Sequence, residues 1–242
     1  MLRDMVQKKE QAMKENKVKE HDLLSSLLQY KEESDSLTTE GVIEECKLFY
    51  FAGQVTTANL LAWTMIVLSM HQDWQEKART EVLKIFGKKT LDYEDINHLK
   101  IVSMILYEVL RLYPPLVNIN KYSWCETRVG DMSIPAGVEV CLPLLFLHYD
   151  SEYWDKPEEF NPGRFSEGIS KASKDHIAFY PFGWGSRICP GQNFAFLEAR
   201  MALAFILQHF SFQLSPTYAH APATPTITLT PQHGAPIIIR RT

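Results

Sequence analysis

Cysteine is scarce in this 242-residue chain, and the four present (Cys46, Cys125, Cys141 and Cys189) are widely scattered. No two form a C-x-x-C pair, so neither structural zinc nor a disulfide framework is expected, and a reducing compartment is the simplest setting. An excess of positive charge is missing as well. With 25 Lys and Arg against 29 Asp and Glu, the net charge is −4. That gives no case for nucleic acid, whose binders carry a basic patch or stripe. Met1 to Glu20 mixes lysine with glutamate and has no apolar core, so it does not read as a secretory signal. Internal repeats and low-complexity segments are absent too. What remains is ordinary globular material, 45% hydrophobic and 22% charged, long enough for one large domain or two small ones.

The first part of the chain reads as helix. Residues 1 to about 32 alternate charged and apolar positions, with Leu23, Leu24, Leu27 and Leu28 as a stripe, and predict a surface or bundle helix pair. Lys31 to Thr39 reads as a polar linker, with Thr38 or Thr39 as the N-cap of the next element. Leu48 to Met70 then runs 23 residues without a formal charge, long enough to span a membrane. Gln54, Thr56, Thr57 and Asn59 cluster around Gly53 in the middle of it. A long helix through a protein interior, with a polar kink facing a cavity, explains that cluster better than a span does. His71 to Phe86 is a further helix stopped by Gly87, Asp92 to His98 a short connection, and Leu99 to Tyr113 a helix ended by Pro114-Pro115. Within it Glu108 and Arg111 share a face at i and i+3. Their neighbours Ile105, Leu106, Val109, Leu110 and Leu112 are apolar, which predicts a partly buried pair.

From Leu116 the texture changes to short β-prone runs: Met132 to Ile134, a Pro135-Ala-Gly137 turn, then Val138 to Leu142. His148 to Phe179 is loop-rich and held by scattered aromatics. Thr226 to Thr230 and Pro236 to Arg240 predict a hairpin around Gln232-His-Gly234. Between them lies Phe182-Gly-Trp-Gly-Ser-Arg-Ile-Cys-Pro-Gly191, ahead of a helical run from Gln192 to Phe210. Backbone N–H groups and the positive end of that helix would favour a thiolate at Cys189. Gly185 and Gly191 leave room for something broad and flat, and Arg187 could reach an anionic group on it. Taken alone, the loop fits both an axial ligand for haem iron and an ordinary buried thiol.

Three motifs, in order, narrow that choice: Glu108-x-x-Arg111, Phe160-x-Pro162-x-Arg164-Phe165, and Phe182-x-x-Gly185-x-Arg187-x-Cys189-x-Gly191. Together they resemble the cytochrome P-450 superfamily of haem-thiolate monooxygenases, and the surrounding text is most similar to the plant seventy-two clan. The resemblance covers essentially the whole chain and implies the C-terminal half of one catalytic domain, residues 1–242, without the N-terminal anchor and half-domain. The implied fold is mainly α with small β-sheets: a helical bundle with a long distal helix, the E-x-x-R helix and the cysteine loop. The implied cofactor is haem b (iron protoporphyrin IX). Cys189 would be the iron's axial ligand, Arg187 would meet a haem propionate, and Phe182 would pack beside the thiolate. Gly185 and Gly191 would admit the porphyrin. Glu108, Arg111 and Arg164 would form a buried ion triad, and Thr56 would donate a hydrogen bond to dioxygen.

The resemblance also implies O2 and an apolar small molecule as substrates, such as a plant terpenoid or hormone. Electrons would come from NADPH through a flavoprotein reductase. Full-length relatives would sit on the cytosolic face of the endoplasmic-reticulum membrane through the anchor. Three positions depart from the family pattern. Val55 stands where the distal helix has a carboxylate, and it cannot relay protons. Lys121 stands where an arginine often meets a propionate, and offers only a point charge. Gly163 stands where glutamate is frequent. A truncated, catalytically impaired haem-binding remnant is therefore the alternative to an active monooxygenase. A structural membrane protein built on Leu48 to Met70 is a third reading.

Overall fold

A computed structural model describes residues 1–15, 17, 22–34 and 36–242. The chain divides into two compact units, Met1–Val55 and Thr56–Thr242.

The first unit contains α1 (Leu2–Lys14), α2 (Leu23–Glu33) and the opening turns of α3 (Thr39–Met70). Val6, Leu28, Val42 and Ile43 form its small core, with Leu24 and Leu27 packed against it. Leu23, the fourth leucine of the expected stripe, is exposed instead. Asp22 caps α2 by accepting from the Ser25 N–H at 2.8 Å. The Lys9 ammonium and that N–H hold its carboxyl down at about 2. α3 starts where Thr38 Oγ1 accepts from the Gly41 N–H at 3.1 Å, as the expected cap requires. The expected linker Lys31–Thr39 is shorter than its composition suggests, because α2 continues to Glu33. Asp35 of that linker and most of the α1–α2 connection lie outside the described residues.

The second unit holds the main core. The C-terminal part of α3 supplies Leu60, Trp63, Ile66, Val67 and Leu68, all buried. α3 is the one helix among the described residues long and apolar enough to cross a membrane, and these residues use its apolar length as core packing. α4 (Gln72–Phe86) follows and stops at Gly87, whose φ of +57° and N–H bond to the Leu83 carbonyl at 2.9 Å fit a glycine stop. After the single turn α5 (Tyr93–Ile96), α6 (Lys100–Leu112) buries nearly its whole length. Its N-terminus is capped from another element: the Glu81 carboxylate of α4 accepts from the N–H groups of Lys100, Ile101 and Val102 at 2.9, 2.8 and 3.0 Å. Three otherwise orphaned helix donors are satisfied by one charged side chain.

Four two-stranded antiparallel sheets fill out the unit. β1 (Ile119–Tyr122) pairs with β4 (Glu139–Leu142), and β2 (Thr127–Val129) with β3 (Met132–Ile134). α7 (Leu144–His148) leads into the loop-rich stretch, which is organised by short 3-10 turns and the buried rings of Trp154, Phe160, Phe165 and Phe179. α8 (Gln192–His209) runs directly into β5 (Phe210–Leu214). Two short strands, β6 (Pro222–Ala223) and β7 (Thr230–Pro231), pair with each other, while β8 (Ile237–Arg241) pairs with β5. The expected hairpin of 226–230 with 236–240 is therefore not formed. The turn itself exists, with Gly234 at φ +73°. Pro222 and Pro231 lack N–H donors and cut the β6–β7 ladder short, and the isoleucine run after the turn crosses to the open edge of β5. Gln75 of α4 completes that strand, giving its amide N–H to the Phe212 carbonyl at 2.9 Å and taking the Phe212 N–H at 3.1 Å.

Candidate cysteine-ligand site

The site begins with a buried charge cluster in α6. Glu108 and Arg111 are fully buried, one turn apart on the core side. Arg111 grips the carboxylate through two bonds of 2.8 Å, Nε to Oε2 and Nη2 to Oε1. Arg164, in the 3-10 turn Pro162–Phe165, donates Nε to Glu108 Oε1 at 3.2 Å, and the Asn161 N–H adds a bond to the same oxygen at 2.9 Å. One carboxylate between two guanidinium groups leaves a surplus positive charge inside the protein. Backbone carbonyls offset it. Arg111 also donates to the carbonyls of His148 (2.8 Å), Pro157 (2.7 Å) and Glu159 (3.3 Å). Arg164 donates to those of Asp155, Lys156 and Glu159. The loop-rich stretch is therefore wrapped around two arginine forks, which fix its backbone from His148 to Glu159 without regular structure. The expected Glu108–Arg111 pair is present, more deeply buried than its neighbours suggested, and Arg164 joins it.

His148, which sequence reasoning did not single out, sits against this cluster. It is buried, its Nδ1 is 3.0 Å from the Arg111 carbonyl, and its Nε2 has no hydrogen-bond partner. A carbonyl only accepts, so Nδ1 carries the proton and Nε2 keeps a lone pair in apolar surroundings. Burial pushes its pKa down to about 3, so the ring is neutral at ordinary pH. No local sequence signal marks this histidine, because its partner is a backbone carbonyl 37 residues away.

Aromatic rings pack beside the cluster, between it and the start of the cysteine loop in sequence. Phe179 packs on His148 and Phe165, with ring centroids 5.4 and 5.0 Å apart. Tyr107 stacks on Phe196 of α8 at 4.4 Å. Three residues beyond Phe179 the loop opens at Phe182. Gly183 and Gly185 take φ of +78° and +77°, backbone that side-chain-bearing residues rarely adopt. A Cβ on Gly183 would be in ordinary contact with the Arg187 carbonyl at 3.7 Å, so its backbone angle is what favours glycine there; the sequence reading named only Gly185 and Gly191. The loop is closed by the Cys189 N–H, which donates to the Phe182 carbonyl at 2.8 Å. Gly191 precedes the helix with negative-φ backbone that any residue adopts (φ −90°, ψ 6°). A Cβ there would be in ordinary van der Waals contact with the Cys189 sulfur, at 4.0 Å.

Cys189 and Arg187 are exposed, Phe182 is half-buried, and Trp184, Ile188 and Phe194 around them expose apolar surface. The arginines in ion pairs among the described residues are Arg3, Arg111 and Arg164, so Arg187 is not committed to a carboxylate. Cys189 is thus held by backbone hydrogen bonds at the head of α8, on a face that water reaches.

On α3, Ala52 to Thr57 is continuous helix. Thr56 is half-buried, and its neighbour Thr57 is buried with a hydroxyl that has no partner. Lys121 is exposed on β1. Gly163 suits its place: its N–H bonds to Asn161 Oδ1 at 3.1 Å, and a Cβ would come within 2.9 Å of that oxygen.

The family model described as Cytochrome P-450 matches residues 1–237. Cytochrome P-450 CYP72A616 of Paris polyphylla is 53% identical over 100% of the chain, and cytochrome P-450 CYP72A219 of Panax ginseng 52% identical over 98%. A protein named 11-oxo-beta-amyrin 30-oxidase, from Glycyrrhiza uralensis, is 50% identical over 99%. In each case the match takes up 48% of the relative, so the chain spans about half the length of the curated relatives it matches.

Proposed function

The chain belongs to the cytochrome P-450 family, and on that premise we propose that it forms the haem-thiolate half of a plant monooxygenase acting on an apolar specialised metabolite. The observation that carries this reading is the construction of the cysteine loop. An accessible thiol stands on a loop closed by its own backbone, and the chain just ahead of it packs Phe179 beside a buried ion cluster. The loop suits a flat, mostly apolar dianion. Open space lies beside Gly185, Trp184 and Phe194 expose apolar rings, and Arg187 is in no ion pair among the described residues.

In this reading Cys189 would hold the iron of haem b, Arg187 would meet a propionate, and Phe182 would pack against the sulfur. The haem, when bound, supplies activation of dioxygen and insertion of one oxygen atom into substrate. Thr56 would be the hydroxyl offered toward dioxygen. Val55, beside it, has no titratable group and would hold no proton there. Glu108, Arg111 and Arg164 act on the loop's geometry, not on substrate. Electrons come from NADPH through a flavoprotein reductase. The name of the Glycyrrhiza relative supports a terpenoid-class substrate, and full-length relatives supply the expectation of endoplasmic-reticulum membrane, cytosolic face. We place the chain as the C-terminal portion of one catalytic domain, consistent with its 48% share of each relative.

Val55 favours one second reading, a haem-binding remnant without coupled turnover. The test joins this chain to the preceding half of the Paris polyphylla relative and supplies haem, reductase, NADPH, isotopically labelled dioxygen and 11-oxo-β-amyrin. A product carrying one labelled oxygen supports the monooxygenase. NADPH consumption without product, with product restored by Val55→Glu, supports the remnant.

A further inference from the structure

One cluster inside the second unit, outside the cysteine loop, joins a pair of oxidisable rings to a base. Trp63 of α3 is fully buried. It stacks face to face on Tyr113, the C-cap of α6, with ring centroids 4.3 Å apart and planes 10° from parallel. The connection from β5 to β6 sets His220 edge-on to both rings, 5.7 Å from Trp63 and 5.8 Å from Tyr113. Its Nε2 lies 3.2 Å from the Tyr113 hydroxyl, and its Nδ1 lies 2.8 Å from the Tyr218 hydroxyl. Stacked and edge-on rings are favourable packing in themselves, and phenylalanine in place of either tyrosine would supply that. The hydroxyls bring the rings a proton and somewhere to put it.

A neutral imidazole has one N–H and one bare nitrogen, so one of the two hydroxyls accepts and the other donates. With the proton on Nδ1, Tyr218 accepts and Tyr113 donates to Nε2. Neighbouring donors meet partners of another kind. Trp63 Nε1 donates to the Leu229 carbonyl at 3.0 Å, and the Tyr149 hydroxyl to the Leu112 carbonyl at 3.2 Å. A carbonyl accepts a hydrogen bond but does not take the proton, whereas imidazole does. That difference decides what happens when an electron is lost. An oxidised phenol is a strong acid, and a charged ring in apolar surroundings is costly. Burial already pushes the Tyr113 pKa up. Trp63 therefore has no base for its proton, and Tyr113 has one.

We propose that Trp63, Tyr113 and His220 form a one-electron relay that moves an oxidising hole off the buried indole. A one-electron oxidant takes an electron from Trp63 and leaves the indole radical cation. Tyr113 returns an electron to the indole through the stacked rings and passes its phenolic proton to His220 Nε2. The products are intact Trp63, a neutral Tyr113 phenoxyl radical and a His220 imidazolium, so the single positive charge is conserved. A reductant of the ascorbate or thiol class then gives Tyr113 one electron, and Nε2 returns the proton. Tyr218 is a positioning residue, holding the imidazole and its tautomer. The relay needs no haem and stands apart from the haem-thiolate reading.

The test exposes this chain, free of haem, to radiolytically generated azide radical, which is reduced to azide ion, in oxygenated buffer. Peptide mass spectrometry then maps oxygenated tryptophan. Tyr113→Phe keeps the stack and removes the proton, and His220→Gln keeps a hydrogen-bonding group and removes the base. Each should raise oxygenation at Trp63 at least fivefold, with the exposed Trp184 and hydrogen exchange around residue 63 unchanged. Tyr149→Phe should leave Trp63 at the wild-type level. Tyr218→Phe, which frees only the tautomer, should raise oxygenation by a smaller factor, and it carries the test if either relay variant unfolds. Three results would overturn the inference: Trp63 oxygenation indifferent to every substitution in the cluster; an equal rise in Tyr149→Phe; or a rise that appears only with faster hydrogen exchange around residue 63, which marks an opened core.

Discussion

Glu108 balances two guanidinium groups inside the protein, so its charge cannot be removed without consequence. Glu108→Gln leaves Arg111 and Arg164 without their counter-charge, and breaking a buried pair in this way costs about 3–5 kcal/mol. Urea unfolding should show that loss, whereas Lys77→Ala, which removes an exposed i,i+4 pair, should change stability by less than about 0.5 kcal/mol. His148 makes a second residue-scale prediction, one with a sign. Its folded pKa, about 3, lies below its ordinary value of 6.5. The unfolded chain therefore takes up a proton that the folded chain refuses, and stability falls as pH drops from about 6 toward 4, by about 1.4 kcal/mol per pH unit from this group. His148→Asn keeps an N–H for the Arg111 carbonyl but does not titrate. The difference between wild-type and variant stability should shrink steadily across that window, and a constant difference would show that the histidine is not buried neutral.

Among the elements, α6 owes its start to a carboxylate on α4. Glu81→Ala strands three N–H groups and should cost about 1–2 kcal/mol in urea unfolding, with the loss in exchange protection concentrated at Lys100–Val102. The two kinds of glycine should respond with opposite signs. Gly185→Ala puts a side chain on φ +77° and should destabilise the cysteine loop by about 1–2 kcal/mol. Gly53→Ala, in open helix, should stabilise the isolated chain by about 1 kcal/mol. Thermal unfolding of both variants checks the pair.

The helices were legible because their signals are local: the apolar spacing of α6, the stop at Gly87, the Thr38 cap. The closing strands were not. Whether β8 pairs with its sequence neighbour or with β5 depends on missing N–H donors at Pro222 and Pro231 and on an open strand edge that no local window contains. The same distinction runs through the site. Glu108 and Arg111 stood out as charges among apolar neighbours. The carbonyls that complete the cluster, His148, and the Gln75 amide that finishes β5 did not, because each acts on backbone far away in sequence.

At the scale of the molecule, the second unit is a device for holding one loop still. α6 supplies the buried charges, the irregular stretch from His148 to Phe179 is wrapped on them, and Phe182, packed on the same core, opens the loop that Cys189 closes. The family match over residues 1–237 agrees with the fold read from the motifs, and the cysteine's role is the claim on which the rest turns. The most direct measurement is the absorption spectrum of the haem-loaded, reduced chain under carbon monoxide, recorded for the wild type and for Cys189→Ser. The wild type should show the strongly red-shifted Soret band of thiolate-ligated iron, and the variant should lose it while keeping its fold. A wild-type spectrum without that band, or a band that survives in Cys189→Ser, would contradict the assignment.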